Sequence, residues 1–294
     1  MITSKQYYKG IALIITSAFC FSLMGLFVKL SGDLPFVQKS FFRNLVAVFI
    51  ALAVLVKDGQ GFGFRRENLR YLVLRSVFGT VGILCNFYAI GRLMLPDANI
   101  LNKMSPFFAV IGSAIFLKER LKGFQIGIIL AALAGAVLVI KPSFANASFG
   151  PAMVGLTSGL GAGLAYMMVR YLGQRGERGP VVVLFFSVFS CVVCLIPMLF
   201  LFEPMSLYQT VMLLLAGLAA AGGQLSVTGA YFHAPANRIS VYDYTAVIFS
   251  TVWGFLFFGD LPDVFSILGY IIICGAAVLN FLWNRRELER HGEL

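Results

Sequence analysis

Charge is what this chain has least of. Only 12% of its 294 residues are charged, about half the share found in a soluble domain. It has 13 acidic residues and two histidines, His233 in a turn and His291 in a charged tail, neither with catalytic company. No HExxH, no GxSxG in a strand–turn–helix setting and no phosphate-cradling GxxxxGK[ST] occurs, so neither enzymatic activity nor self-driven ATP hydrolysis is expected. The five cysteines all sit in apolar runs. Cys191-x-x-Cys194 lacks the histidine or second CxxC that a metal site needs, so these thiols are read as small packing residues. No metal and no cofactor is expected. The linkers are too short to fold alone, and the first apolar run leads into Lys29 rather than a small-residue cleavage site, so no cleavable leader is expected.

What the chain does have is apolar length. Hydrophobic residues make up 59% of it. They fall into ten runs, roughly 10–28, 36–56, 71–91, 98–117, 124–140, 150–169, 181–202, 210–231, 239–258 and 264–284. Runs of about 20 match the span of a bilayer's hydrocarbon. The expected fold is therefore all-α and integral to the membrane, with ten transmembrane helices. Placing both termini in the cytoplasm puts sixteen Lys and Arg residues inside and only Lys29, Lys39, Arg92 and Lys141 outside, a bias that sets orientation. The same bias accounts for the net charge of +10, so no nucleic-acid partner is expected. The expected location is the inner, cytoplasmic membrane, multi-pass. The expected partners are lipid and a small-molecule substrate, and a homodimer is left open.

The chain also repeats itself. At an offset of 141, Lys29 falls on Arg170, Gly32 on Gly173, Ala89 on Ala230 and Glu119 on Asp260. Two units follow, 1–145 and 146–294, with five helices each. Five is odd, so the second unit enters the membrane inverted. Inverted repeats of this kind build secondary transporters, whose substrate site lies near the midplane between the halves.

Polar residues inside the runs mark where that site should be, because a charge at membrane depth costs about 2.5–3.5 kcal/mol. Asn99, Asn102, Lys103 and Pro106 share one face of the fourth helix, and Pro106, lacking an N–H, is expected to bend it near Asn102. The offset lays Asp243 on Asn102 and Tyr244 on Lys103. Lys103 and Asp243 enter from opposite sides and need not touch. Either they lock two helices as an ion pair, or Lys103 binds a carboxylate or phosphate while Asp243 binds an ammonium group or carries a coupling proton. Arg43 lies about 10 Å of helical rise from the outer end of its helix, where it is a structural ion-pair residue or a substrate contact. Arg75, Gly79, Gly82 and Asn86 form a small, polar face on helix three. Gly217, Ala221, Gln224 and Thr228 form a similar stripe on helix eight. Tyr88, Tyr166, Tyr242 and Tyr244 are aromatics for a pocket or for the lipid interface, and Trp253 is read as packing. With three bases against one acid in the membrane, a solute with an anionic group, zwitterionic overall, is favoured.

Several segments carry a family resemblance: FFRN in helix two, NFYAIGRLMLPDANIL across helices three and four, and SPFF…FLKERL in helix four. AGAVLVIKP closes helix five, and YTAVIFSTVWGFLFFGDLPD…LGYIIICGAAVL covers helices nine and ten. In their order and spacing, over essentially the whole chain, these resemble the drug/metabolite transporter superfamily, the ten-helix EamA type. The last two helices are most similar to the subgroup that includes S-adenosylmethionine carriers. The resemblance supports an arginine in helix two. It implies a central cavity lined by helices one, three, four, six, eight and nine, with five and ten outside. It also implies secondary transport of an amino acid or an amino-acid or nucleoside derivative by alternating access. A lipid-phosphate flippase and a non-transporting receptor are the alternatives.

Overall fold

The structure is a computed structural model describing residues 4–59, 61, 63–116, 123–141, 148–233 and 239–290. Lys118, Glu119, Arg120, Lys122, Arg238 and His291, all used in the sequence reading, lie outside the described residues. A bilayer core offers no partners to the backbone, so each apolar run closes its hydrogen bonds internally as a helix. The helices are α1 (Ser4–Leu30), α2 (Phe36–Asp58), α3 (Leu69–Ile90), α4 (Leu95–Asn102), α5 (Ser105–Phe116) and α6 (Gly123–Ile140). They continue with α7 (Phe149–Gln174), α8 (Gly179–Leu201), α9 (Leu207–His233), α10 (Thr245–Phe258) and α11 (Val264–Arg290). Short 3₁₀ turns precede α3, over Arg66–Asn68, and α10, over Ser240–Tyr244.

Among the described residues nine helices are long and apolar enough to cross a membrane. The tenth crossing is α4 and α5 end to end, so the ten crossings expected from the pattern are present, the fourth split into two helices and the ninth changing from 3₁₀ to α geometry after Tyr244. An even number returns both termini to one face, called here the terminal face.

The helix pairs reveal the symmetry. The main contacts run between the halves: α1 on α9, α3 on α7, α2 on α8 and α6 on α11. Exchanging each helix for its counterpart five crossings later converts α1–α9 into α7–α3 and returns α2–α8 and α6–α11 to themselves. It also converts the packing of α4 and α5 on α7 into that of α10 on α1. The halves are thus interleaved rather than set side by side.

Interleaving needs close backbone approach, and α7 supplies it with Gly159, Gly161 and Gly163. A Cβ on Gly161 would sit 2.8 Å from the Phe78 carbonyl and 2.9 Å from Gly82 Cα, and one on Gly159 2.6 Å from the Leu101 carbonyl. A Cβ on Gly163 would strike the Ser105 carbonyl. One face of α7 is therefore pressed on α3 and the other on the broken crossing. At the far end of the ninth crossing, Gly259 takes φ 65° and turns the chain out of α10.

Candidate functional site

The site grows from the two breaks. The sequence pattern suggests a continuous fourth helix bent near Asn102 by Pro106. Instead α4 stops at Asn102, Lys103 and Met104 form a turn, and α5 begins at Ser105 with Pro106 in its first turn. The reason is local: proline has no N–H to give the Asn102 carbonyl, and its ring is tolerated in a first turn, where no intrahelical donor is needed. The Met104 carbonyl starts α5 by accepting from Phe107 N at 3.0 Å and Phe108 N at 3.2 Å. The ninth crossing is interrupted at the equivalent place, passing from its 3₁₀ turn into α10 between Tyr244 and Thr245.

The two interruptions meet. Lys103 Nζ donates to Asp243 Oδ2 at 2.8 Å, with both side chains buried. The sequence left open whether these residues touch, and the structure brings them into contact. Asp243 Oδ1 has no hydrogen-bond partner among the described residues. Asn102 Nδ2 donates to Ser158 Oγ on α7 at 3.0 Å, and Asn99 Nδ2 returns to the Leu95 carbonyl at 2.9 Å.

A second group of buried bases stands across the cavity. Arg75 is 2% exposed and Arg43 is 1% exposed. Both guanidiniums lie over the Phe186 ring of α8, with Arg75 Cζ 3.7 Å and Arg43 Cζ 5.8 Å from its centroid. Arg43 Nη1 donates to Asn44 Oδ1 at 2.6 Å, and Asn44 is itself tied to the Ser40 carbonyl at 2.8 Å. Arg75 Nε and Nη1 and Arg43 Nε have no partner, and neither arginine meets a carboxylate among the described residues. Gly79 makes room for this stack, since a Cβ there would run into Arg75 Nη1 and lie 2.8 Å from Phe186 Cε2. Asn86 Oδ1 and Gln224 Nε2 are likewise buried and unpartnered among the described residues.

The cavity these groups share is lined by Arg43, Arg75, Asn86, Asn99, Asn102, Lys103, Tyr166 and Gln224, with Phe21, Phe186 and the α3 glycines. Eight of the eleven residues picked from sequence therefore face one space, and Asp243 joins it through Lys103. Two do not. Tyr88 packs edge-on to Phe36 and carries the Arg92 guanidinium over its ring at 4.2 Å, toward the outer ends of α2 and α3. Tyr244 is buried beside Phe107, outside the cavity lining, its hydroxyl unpartnered. The expected lining also needs correction, because the second crossing contributes Arg43 and the seventh, α8, contributes Phe186, while the ninth supplies no lining residue and meets the space only through the Lys103–Asp243 pair. Phe186 had no sequence signal, since one phenylalanine in an apolar run looks like the next. The Gly-Leu-Gly-Ala-Gly of α7 was a readable signal for close approach, and the sequence reading missed it.

Each end of the molecule has its own ties. On the face away from the termini, Asp260 accepts from Lys29 Nζ at 2.7 Å and from Leu95 N at 3.0 Å, joining the ends of α1 and α10 to the start of α4. A carboxylate there also suits the positive end of the α4 dipole. On the terminal face, Glu177 accepts from Arg65 N at 2.9 Å and Asn68 Nδ2 at 2.8 Å.

The profile of the EamA-like transporter family matches this chain twice, over residues 8–141 and 150–282. The chain belongs to the EamA-like transporter family. It is 33% identical over 273 residues to the pseudopaline exporter CntI of Pseudomonas aeruginosa, covering 92% of this chain and 94% of the relative. It is 26% identical to solute carrier family 35 member G1 of Mus musculus, over 90% of this chain and 76% of that one. A crystal structure 17% identical in sequence superposes with a TM-score of 0.70, covering 94% of this chain and 98% of the other, which shows the shared fold. Like its EamA-like relatives, the chain is a multi-pass membrane transporter.

Proposed function

We propose that this protein carries a small polar metabolite with an anionic group, an amino acid or an amino-acid or nucleoside derivative, across the cytoplasmic membrane by alternating access. The observation that supports this reading most is the pair of buried guanidiniums with no carboxylate partner, facing the Lys103–Asp243 pair in a cavity between two interleaved halves. Buried charge without a counter-charge is costly, so its presence is accounted for by a ligand that supplies one. The halves 1–145 and 146–294 rock about the site, with the breaks at Lys103 and Tyr244 and Pro96 as pliable points. Both termini lie in the cytoplasm, as the loop lysines and arginines favour. No ATP-binding motif is present, so an ion or solute gradient drives the cycle. The relative named as an exporter suggests outward movement.

The direct test is flux of labelled amino acids and their derivatives in sealed proteoliposomes. Wild-type protein should move at least one anionic or zwitterionic solute, and Arg43→Gln with Lys103→Gln should abolish it. If the double variant still binds every anionic solute tested, the charge argument is wrong. If phospholipids are translocated and no soluble metabolite is, the flippase reading replaces this one. Asp243 is the group proposed to carry a coupling proton, and Asp243→Asn should flatten the pH dependence of flux.

A further inference from the structure

Resting on the transporter reading, a count of charge in the cavity narrows the solute. Lys103 and Asp243 neutralise one another at 2.8 Å. What remains uncompensated is two guanidiniums, Arg43 and Arg75, lying over one Phe186 ring. The only hydrogen bond that either makes among the described residues is from Arg43 to a neutral amide, Asn44. Another buried acid, Asp97 in the first turn of α4, accepts from Tyr270 at 2.6 Å and is not in the cavity lining.

We propose that the site takes a solute bearing two negative charges close together, a dicarboxylate or a phosphomonoester end, held by Arg43 and Arg75 against Phe186. A single carboxylate would neutralise one arginine and leave the other buried and bare. With Arg75 Cζ 3.7 Å and Arg43 Cζ 5.8 Å from the Phe186 centroid, Arg75 Nε and Nη1 and Arg43 Nε, unpartnered among the described residues, remain for oxygen acceptors, which arginine's fork suits better than lysine's single ammonium. Asn86 Oδ1 and Gln224 Nε2 provide one further acceptor and one further donor for the rest of the solute. Asp243 Oδ1 is the acceptor available to an ammonium group at the solute's other end.

The test is a matched series on detergent-purified full-length protein, by calorimetry or competition. Glutamate is compared with glutamine, glutarate with its monoamide, and O-phosphoserine with serine. The dianionic end should bind at least about tenfold more tightly than its less charged partner, the worth of one charge-assisted hydrogen bond. Whether glutarate or phosphoserine leads decides between two carboxylates and one phosphate. Arg75→Gln should collapse the ratio toward one while the monoanion still binds, and Arg43→Gln should do the same. Arg75→Lys, which keeps the charge and loses the fork, should fall between. Equal binding of dianion and monoanion by wild type overturns the proposal, although a site for anions would survive. A ratio unchanged in both glutamine variants overturns it as well. If no member of any pair binds, the transporter reading for polar anions falls and takes this inference with it.

Discussion

Lys103 and Arg75 are both cations sunk in the same cavity, and the molecule treats them in opposite ways. Lys103 sits in a helix break that brings it onto Asp243 across 140 residues of sequence. Arg75 sits inside an unbroken helix, with a glycine one turn on, an aromatic ring over it and no carboxylate. The first charge is settled by the fold, whereas the second is left for something else to settle. The difference separates a closing element from a binding element in a site where composition alone gives three equivalent bases.

The sharpest way to break the comparison is to remove the settled partner. Asp243→Asn leaves Lys103 buried without a counter-charge and should cost about 3–5 kcal/mol, read as a lower melting temperature in detergent. Lys103→Met with Asp243→Leu should restore most of that loss. If the double variant is as unstable as the single one, the two charges are not coupled. Next in size is the packing that holds the breaks in place. Gly161→Ala, which drives a methyl into backbone on α3, should cost about 1–3 kcal/mol, whereas Gly150→Ala, with nothing within 4 Å, should be nearly neutral.

Asp260→Asn should cost about 1–2 kcal/mol by weakening a partly buried ion pair and the bond to Leu95 N together. Arg75→Met should carry the opposite sign. Replacing a bare buried charge with an apolar side chain should leave the unliganded protein as stable or up to about 1 kcal/mol more stable, while abolishing ligand-induced stabilisation. A clear loss of unliganded stability would make Arg75 a structural residue and erase its contrast with Lys103.

The smallest effect lies in the loops. The Lys141 ammonium, 2.7 Å from Asp263, holds that carboxyl below the usual carboxylate range. A depressed folded value means that the stabilisation is complete above the unfolded value near 4 and is lost as pH falls through the lower folded one. Because both groups are substantially exposed, solvent limits it to a few tenths of a kcal/mol. A melting curve against pH in Lys141→Gln should lack that acid limb, lying a few tenths of a kcal/mol below wild type above about pH 5 and converging with it at acid pH.

How much of this was legible in the sequence follows from the range of each interaction. Asn99, Asn102 and Lys103 were found together because helical spacing is local, and so were Arg75, Gly79, Gly82 and Asn86. Pro106 announced a disturbance near Asn102 in the fourth crossing, but not whether the helix would bend there or stop, since a missing N–H leaves the same local pattern in both cases. Tyr88 was misplaced because its position on α3 does not say which neighbour it meets.

The sequence by itself determined ten crossings and their repeat in two halves, because bilayer thickness and backbone hydrogen bonding act on each segment separately. Only the tertiary structure decided that Lys103 is paired and that Arg43 and Arg75 share one phenylalanine without a counter-charge. Those outcomes depend on how two interleaved halves bring residues more than a hundred positions apart into contact, and no local pattern records that.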